Sequence, residues 1–149
     1  MNVEPIGEEY LRDVVAVENA SFANPWSEQS FQNAFRSDLT TIYGAFGDDG
    51  ILSGFACLFV IGEEAEILDI AAKPDQRRQG VGRALMLRMI EDCEKLGVKS
   101  VYLEVRVSNS AARSLYEKNG FIPQGIRRRY YTEPTEDAVV MKKTIKEDL

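Results

Sequence analysis

The spacing of apolar residues divides the N-terminal part of the chain into one strand and two helices. Residues 8–19 carry apolar side chains at mostly helical spacing, which predicts a helix. A second helix is predicted after the turn Asn24 to Trp26, because Ser27 is a favourable N-cap. Asn2 to Ile6 has the pattern of a short edge strand. We therefore expect these elements to precede the main sheet.

The central part of the chain follows a strand pattern. Ile42 to Phe46 and Ile51 to Ile61 are apolar runs, and the Gly and Asp residues of Gly47 to Gly50 between them are typical of a hairpin turn. Glu66 to Ala72 continues the pattern. These segments predict a meander of three strands.

After Pro74 the pattern changes to alternating helices and strands. A long helix is predicted from Gly80 to Leu96, with apolar residues on one face and Gly97 as its C-cap. Helices that alternate with strands after a hairpin predict an α/β fold, in which a mixed sheet has helices on its faces. The remaining predicted elements are a strand over Ser100 to Val105, a helix over Asn109 to Lys118, a strand after Phe121 and a final strand over Ala138 to Ile145.

The length and composition of the chain indicate one domain. Its 149 residues can bury a core without disulfides or a structural metal, and no linker, repeat or low-complexity segment divides them. We expect a single domain over residues 1–149. The longest apolar run, Ile51 to Ile61, is too short to span a membrane, and the acidic N-terminus does not resemble a signal peptide. The expected location is the cytoplasm, with no membrane partner.

Charge and the missing residue types narrow the chemistry. The net charge of −6 argues against direct nucleic-acid binding through phosphate neutralisation. The absence of histidine excludes Ser-His and Cys-His catalysis and the common zinc sites, and we expect no metal. Cys57 and Cys93 lie in apolar patterns, which predicts buried reduced thiols without a catalytic role. Proton transfer must come from a carboxylate, tyrosine, lysine or cysteine.

A segment rich in glycine and arginine, Arg77 to Arg83, lies between the third strand of the meander and the long helix. Gly80 and Gly82 let the backbone approach an anion, and the start of a helix offers free N–H groups and the positive end of its dipole. Arginines add charge-assisted contacts. The segment predicts a phosphate cradle, with a glycine-rich helix start and solvated arginines as the alternative. It lacks the third glycine of the dinucleotide fingerprint, replaced by Leu85, and the Gly-Lys-Ser/Thr of a P-loop.

A second group of candidate residues follows the long helix. Glu104 stands mid-strand between apolar neighbours, where carboxylates are uncommon. It either faces solvent or pairs with an arginine such as Arg106, or it is a general base at the end of the sheet. Ser108 and Asn109 are good helix caps. Tyr116 lies on an amphipathic helix, where a lone tyrosine is usually a core residue, so the residues alone leave these alternatives open.

Together these segments resemble the GNAT superfamily of N-acetyltransferases. Arg77-x-x-Gly80-x-Gly82 after a strand is similar to its acetyl-CoA pyrophosphate motif, and the order Asn, Ala-Ala, Leu-Tyr, Gly-Phe from Asn109 to Phe121 is similar to its catalytic tyrosine segment. The resemblance implies a mixed, mostly antiparallel sheet of about six to seven strands with about four helices. It also implies a strand bulge that splays the sheet, with pantetheine in the gap. The residues implied to bind acetyl-CoA are Ile70, Ala71, Ala72, Arg77, Arg78, Gln79, Gly80, Val81, Gly82, Arg83 and Asn109.

The resemblance extends to the ribosomal-protein-alanine N-acetyltransferases of the RimI type and their archaeal N-terminal acetyltransferase relatives. Two departures from bacterial members lie on the acceptor side: Asn24 stands where Phe is frequent, and Thr132 to Pro134 stand where a proline soon follows the paired tyrosines. The segments that carry the resemblance span most of the chain and are Asn24 to Ser27, Leu103 to Arg106, Ile126 to Tyr131 and Glu136 to Met141.

This branch implies acetyl transfer from acetyl-CoA to the N-terminal α-amine of a protein, such as the alanine of a small-subunit ribosomal protein. Glu104 is the implied proton acceptor, through a water molecule, and Tyr116 the proton donor to the thiolate. Trp26, Tyr130 and Tyr131 are implied to border the peptide. An α-amine of pKa about 8 is roughly one-tenth neutral at pH 7, so one carboxylate is an adequate base. The alternatives are a GNAT enzyme that acetylates lysine side chains or a small-molecule amine, and a CoA-binding module without catalysis.

Overall fold

A computed structural model describes residues 1–145, which form a seven-stranded sheet with helices on both faces. The strands are β1 (Asn2–Pro5), β2 (Thr40–Phe46), β3 (Leu52–Ile61), β4 (Glu64–Ala72), β5 (Ser100–Arg106), β6 (Ile122–Tyr131) and β7 (Glu136–Thr144). The helices are α1 (Leu11–Ser21), α2 (Glu28–Arg36), α3 (Val81–Lys95) and α4 (Ser110–Lys118), with 3-10 turns at Glu8–Tyr10 and Pro74–Gln76.

The sheet is mixed and mostly antiparallel, which confirms the expected fold class. Its strand order is β1-β2-β3-β4-β5-β7-β6. Every neighbouring pair is antiparallel except β4 and β5, which run parallel because α3 crosses over between them. The last two strands exchange order, so β7 lies between β5 and β6. Because β7 separates them, a residue of β6 can contact a residue of β5 only if a side chain extends across β7.

The helices divide the core into two layers. Helices α1 and α2 cover one face, where Phe31 packs edge-on against Phe55 of β3 at 5.5 Å between ring centroids. Helix α2 begins as expected, because Ser27 caps it by accepting the backbone N–H of Ser30 at 3.0 Å. Helix α3 buries Met86 on the opposite face of the sheet, in the same cluster as α4. The two layers hold the middle of the sheet on both sides.

The sheet opens where β4 and β5 meet. These strands pair only from Glu64 to Glu66, opposite Ser100 to Tyr102, although both continue further. On its other side, β4 carries a bulge against β3, where Cys57 pairs with Asp69 but the next residue, Leu58, pairs with Ile67. The extra residue increases the local twist and turns β4 away from β5. Both the bulge and the splayed strands were expected.

Several element boundaries differ from the predicted ones. The final strand begins at Glu136, two residues before the predicted Ala138, and β4 begins at Glu64 rather than Glu66. Charged residues at strand ends weaken the apolar pattern, but Glu136 is held in place by Arg106. Residues 8–10 form a 3-10 turn before α1, which then extends to Ser21.

Both cysteines are buried and free, as predicted. Within residues 1–145, no helix has the length and apolar character needed to cross a membrane.

Candidate active site

The splay between β4 and β5 opens a cleft of about 610 Å³. Its floor is formed by β4, β5 and α4, and its two walls are the α1–α2 loop (residues 22–27) and the β6–β7 turn (residues 132–135). A smaller groove of about 290 Å³ lies on the sheet beside it. Glu104 lines both cavities, whereas Tyr116 lines the cleft. The fold therefore brings the two predicted catalytic residues into one cavity.

The predicted phosphate cradle lies at the start of α3. Gly80 is the N-cap residue with φ of 82°, a left-handed conformation that favours glycine, and no side chain caps the helix there. The first N–H groups of a helix have no partner within it, so they remain available. Arg77, Arg78 and Arg83 are exposed, and none of them forms an ion pair within the described part of the chain. The segment presents three cations and free N–H groups, an arrangement that suits a phosphate.

Three residues of this segment also have structural contacts. Val81 is buried in the core, and a Cβ added to Gly82 would lie 3.1 Å from Cδ2 of Leu115 in α4. The Gln79 amide donates to the carbonyl of Asp75 at 3.4 Å. Val81 and Gly82 therefore offer a cofactor only their backbone, and the absence of a side chain at Gly82 also serves helix packing.

The end of β4 presents backbone groups to the cleft. Ile70, Ala71 and Ala72 pair with β3, but β5 has already diverged from β4 at these residues. The backbone groups that point toward β5 are therefore without a strand partner there. Across the cleft, Asn109 caps α4 by accepting the backbone N–H of Ala112 at 3.2 Å. Asn109 is therefore the N-cap of α4, as its residue type predicted, and it also lines the cleft.

Glu104 is largely buried, with 13% of its side chain exposed, and its Oε1 lies 3.3 Å from Nε of Arg127. Sequence reasoning suggested Arg106 as a partner, but Arg106 is engaged elsewhere and Arg127 reaches Glu104 across β7. Oε2 of Glu104 is buried, and no donor among residues 1–145 satisfies it. The Glu104 carboxyl also acts on the nearby Tyr130 hydroxyl, and this contact first, with burial second, raises the pKa of Tyr130 to about 12. One carboxylate oxygen is therefore available to accept a proton.

Tyr116 is both a core aromatic and a residue of the cleft. Its ring packs edge-on against Phe121 at 6.0 Å between centroids. Burial, with smaller contributions from the charges of Asp69 and Tyr131, raises the pKa of Tyr116 above its ordinary value of 10. The hydroxyl therefore stays protonated at neutral pH and can act as a proton donor.

The three aromatic residues predicted to border the peptide, Trp26, Tyr130 and Tyr131, all line the cleft. The Trp26 ring packs on Phe31 at 5.2 Å, and Tyr130 and Tyr131 pack edge-on at 5.0 Å. The walls also meet directly, because Asn24 Nδ2 donates to Thr132 Oγ1 at 2.9 Å. The two main departures from the resembled family thus contact each other across the cleft.

Sequence reasoning missed the role of Arg106 in shaping one wall. Its guanidinium donates to the carbonyls of Thr132 and Pro134 at 3.0 and 2.9 Å and stacks 4.5 Å from the centroid of the Tyr131 ring. Glu136 accepts hydrogen bonds from Ser108 and pairs with Arg106 at 3.2 Å, and these contacts, those with Ser108 first, lower the pKa of Glu136. The alternating apolar and polar residues of β5 predicted the strand that carries Arg106. The β6–β7 turn that Arg106 contacts is 26 to 28 residues away along the chain, so the sequence did not indicate this contact.

Sequence reasoning also missed two acidic residues of the cleft, Glu18 and Asp69. Glu18 is 1% exposed on α1, and its Oε2 accepts the backbone N–H of Trp26 at 2.9 Å. Asp69 stands between apolar residues of β4, the same signal that drew attention to Glu104. Acidic residues that are buried or partly buried among apolar residues thus occur at three positions, Glu18, Asp69 and Glu104.

Known proteins share this sequence and this architecture. Residues 11–121 match the sequence model of the acetyltransferase (GNAT) family. A [ribosomal protein bS18]-alanine N-acetyltransferase of Escherichia coli is 42% identical over 127 residues, which cover 84% of each chain. The crystal structure of the Escherichia coli ribosomal-protein-S18-alanine N-acetyltransferase superposes with a TM-score of 0.92 at 35% identity, covering 99% of this chain and 96% of the other. The structure of Ard1 from Thermoplasma volcanium superposes with a TM-score of 0.87 at 26% identity, covering 98% of each chain. The chain therefore belongs to the GNAT family of acetyltransferases.

Proposed function

We propose that this acetyltransferase transfers the acetyl group of acetyl-CoA to the N-terminal α-amine of a protein, with the N-terminal alanine of ribosomal protein bS18 as the first substrate to test. The observation that carries the proposal is the single cleft at the β4–β5 splay, which exposes Glu104 and Tyr116 to the same space. The relatives at 35–42% identity that act on the bS18 alanine support the choice of acceptor.

The residues at the start of α3 fit the cofactor. The diphosphate of CoA is anionic, and Arg77, Arg78 and Arg83 face solvent beside a helix N-terminus that no side chain caps. Arg78, in the loop before α3, has a φ of 65°, a left-handed conformation that residues other than glycine rarely adopt. Such backbone strain is typical of ligand-binding loops. When bound, acetyl-CoA supplies a thioester that an amine can attack. The backbone groups of Ile70 to Ala72 that face the splay are the candidates for holding the thioester oxygen.

Glu104 is the proposed general base. It takes a proton from the α-ammonium through a water molecule, which leaves a neutral nitrogen able to form the new C–N bond. Its Oε2 has no donor within the described residues, so proton acceptance breaks no hydrogen bond at that oxygen. Arg127, the ion-pair partner of Oε1, is 60% exposed, so displacing it costs little.

Tyr116 is the proposed general acid. As the C–S bond breaks, its hydroxyl donates a proton to the departing sulfur. The new C–N bond leaves one surplus proton on the nitrogen, and the tyrosinate takes up this proton through water, which gives the neutral amide and restores Tyr116. Glu104 returns its own proton to solvent. Burial keeps this hydroxyl protonated until it is needed. The two thiols are unsuitable as acetyl carriers, because Cys57 and Cys93 are both fully buried and burial raises the pKa of each away from that of a reactive thiolate. We therefore propose direct attack of the amine without an acetylated cysteine.

The deciding experiment measures CoA release from acetyl-CoA with a panel of acceptors, and locates the new acetyl group by mass spectrometry. The panel contains peptides with free N-terminal Ala, Ser or Met, N-blocked peptides with an internal lysine, and spermidine. We expect modification of the α-amine, with the bS18 N-terminal peptide as the best acceptor. Faster acetylation of the blocked lysine peptide or of spermidine would assign the enzyme to a different acceptor class, and CoA binding without release would indicate a non-catalytic module.

A further inference from the structure

Two carboxyl groups that the proposed mechanism does not use lie side by side in the cleft. Glu18 projects from α1 and is 1% exposed, and Asp69 follows the bulge of β4. The two groups lie within hydrogen-bonding reach of each other. Among residues 1–145, no cationic side chain acts on the Asp69 carboxyl. Something other than a counter-ion must therefore stabilise the pair.

The hydrogen bonds of the pair indicate a shared proton. Oε2 of Glu18 accepts the N–H of Trp26, whereas Oε1 of Glu18 and Oδ2 of Asp69 are buried with no donor in the described part of the chain. Two ionised carboxylates cannot bond to each other because each only accepts. One proton between them provides the missing donor and halves the buried charge. Burial first, and the contact with Glu18 second, raise the pKa of Asp69 to about 9.

The other titratable groups around the pair do not supply a positive charge. Burial raises the pKa of the Cys57 thiol on β3, and the charges of Asp69 and Glu18 raise it further. Burial and the charge of Asp69 also raise the pKa of the Tyr116 hydroxyl on α4. Both groups are neutral near pH 7 and therefore offer no positive charge to the pair. The proton shared by the two carboxyl groups is what reduces their buried negative charge.

The pair joins the two sides of the reaction cleft. Asp69 immediately precedes Ile70 to Ala72, the backbone proposed to hold the thioester. Glu18 holds the α1–α2 loop through the backbone N–H of Trp26, which lines the acceptor side. The shared proton therefore links the cofactor strand directly to the acceptor loop, in addition to the 3.5 Å hydrogen bond that the Ser21 hydroxyl of α1 donates to the carbonyl of Ala72.

We propose that Glu18 and Asp69 are a proton-sharing pair that positions the acceptor loop against the bulge of β4. The pair acts through Trp26 and the β4 backbone and does not contact the reacting atoms. The proposal rests on the proposed function in one respect, namely that the acceptor bound beside the α1–α2 loop is a peptide. Loss of the pair should weaken acceptor binding more than cofactor binding, because the α1–α2 loop is then no longer held against β4 through Glu18.

Four variants test the pair. Asp69→Asn and Glu18→Gln each replace the shared proton with an amide N–H that donates to the remaining carboxylate, at the same net charge as the protonated pair. Asp69→Ala removes the link and leaves the Glu18 carboxyl without its partner. Glu64→Gln, which removes an exposed carboxylate at the other end of β4, is the matched control.

Steady-state kinetics with an N-terminal alanine peptide are measured from neutral pH to above pH 9. Near neutral pH we expect both amide variants and the control to keep the peptide KM within about threefold of the wild type, and Asp69→Ala to raise it about tenfold or more. The Kd of CoA, measured directly, changes little in all four. Above about pH 9 the wild-type KM rises as the pair loses its proton. The KM of Asp69→Asn stays flat, because an amide does not titrate there.

An unchanged peptide KM in a folded Asp69→Ala variant overturns the proposal, as does the same rise above pH 9 in Asp69→Asn and the wild type. If Asp69→Ala does not fold, the pH comparison decides. If the wild type acetylates no peptide, the proposed acceptor fails but the pair is still tested by infrared spectroscopy. A protonated carboxyl band at neutral pH that is lost in both amide variants supports the pair, and its absence from the wild type rules the shared proton out.

Discussion

The start of α3, which we propose binds the cofactor (the cofactor side), and the region around Glu104 and the cleft walls, which we propose borders the peptide (the acceptor side), differ in how their charged residues are held. On the cofactor side, Arg78 and Arg83 stand exposed around the start of α3 without an ion pair among the described residues. On the acceptor side, Arg127 pairs with Glu104 and Arg106 is bonded to three groups of the opposite hairpin. The cofactor side presents unpaired arginines to solvent, whereas Arg106 and Arg127 on the acceptor side are already engaged by the protein.

This difference indicates how each substrate binds. A diphosphate can bind to free cations and N–H groups without breaking a contact in the protein. A peptide must displace or rearrange contacts on the acceptor side, such as the pair of Glu104 with Arg127. Variants on the two sides should therefore change different kinetic constants, whereas variants between them should change the chemical step.

The largest effect is expected from Tyr116→Phe, between the two sides. The ring still fills its place against Phe121, but the proton donor is lost. We expect kcat to fall about 100-fold or more, with the Kd of CoA and the melting temperature nearly unchanged. Steady-state kinetics and calorimetry measure these quantities. Tyr102→Phe, on β5 outside the cleft, is the control, and a Tyr116→Phe enzyme with wild-type kcat would assign the protonation to another group.

The next largest effect is expected from Glu104→Gln, and it depends on pH. Below pH 7 an α-amine of pKa about 8 is mostly protonated, so loss of the base should reduce kcat/KM by about tenfold or more. At about pH 9 the amine is mostly neutral, and the loss should shrink to about threefold. The ratio of the two pH–rate profiles checks this. A ratio that stays flat removes Glu104 from the base role, and Glu66→Gln across the smaller groove controls for lost charge.

These two residues show how far the sequence alone determines the site. Local signals predicted most elements, for example the Ser27 cap and the Gly80 start of α3, because each depends on a few adjacent residues. The phosphate cradle was proposed from the same kind of local signal, and it stays a prediction. The partner of Glu104 was not, because Arg127 reaches it only through the order β5-β7-β6. The Glu18–Asp69 contact also depends on tertiary packing, since α1 crosses over β4.

The acid pair predicts a pH-dependent stability that the cofactor side lacks. The pKa of Asp69 in the folded protein, about 9, is above its ordinary value of 3.8, so the folded state holds one more proton between these values. The stabilisation that this extra proton gives the folded protein is complete below pH 3.8 and is lost as the pH rises toward 9. Relative to Asp69→Asn, the wild type should lose about 1.4 kcal/mol of unfolding free energy per pH unit in this window. Urea unfolding at several pH values measures the slope, and parallel curves would exclude the shared proton.

A smaller effect is expected from Arg83→Gln on the cofactor side. The substitution removes one exposed charge from the first turn of α3 and leaves the helix intact. We expect the KM for acetyl-CoA to rise about fivefold, with kcat and the peptide KM unchanged. The difference should decrease as salt is added, because the contact is exposed. Arg12→Gln, at an exposed residue of α1 that does not line the cleft, is the matched control, and equal effects of the two variants would contradict a phosphate contact.

The smallest effect is expected from Asn24→Ala, which removes the bridge between the two acceptor-side walls. Asn24 and Thr132 are exposed, so their 2.9 Å hydrogen bond contributes little, and we expect the peptide KM to rise about twofold with kcat unchanged. Asn33→Ala breaks an exposed bond of the same length, to Gln29 on α2, and should leave the peptide KM unaltered. If the bridge itself matters, adding Thr132→Val to Asn24→Ala changes nothing further, because the bond is already lost. Additive effects of the two substitutions would show that each side chain contacts the peptide independently.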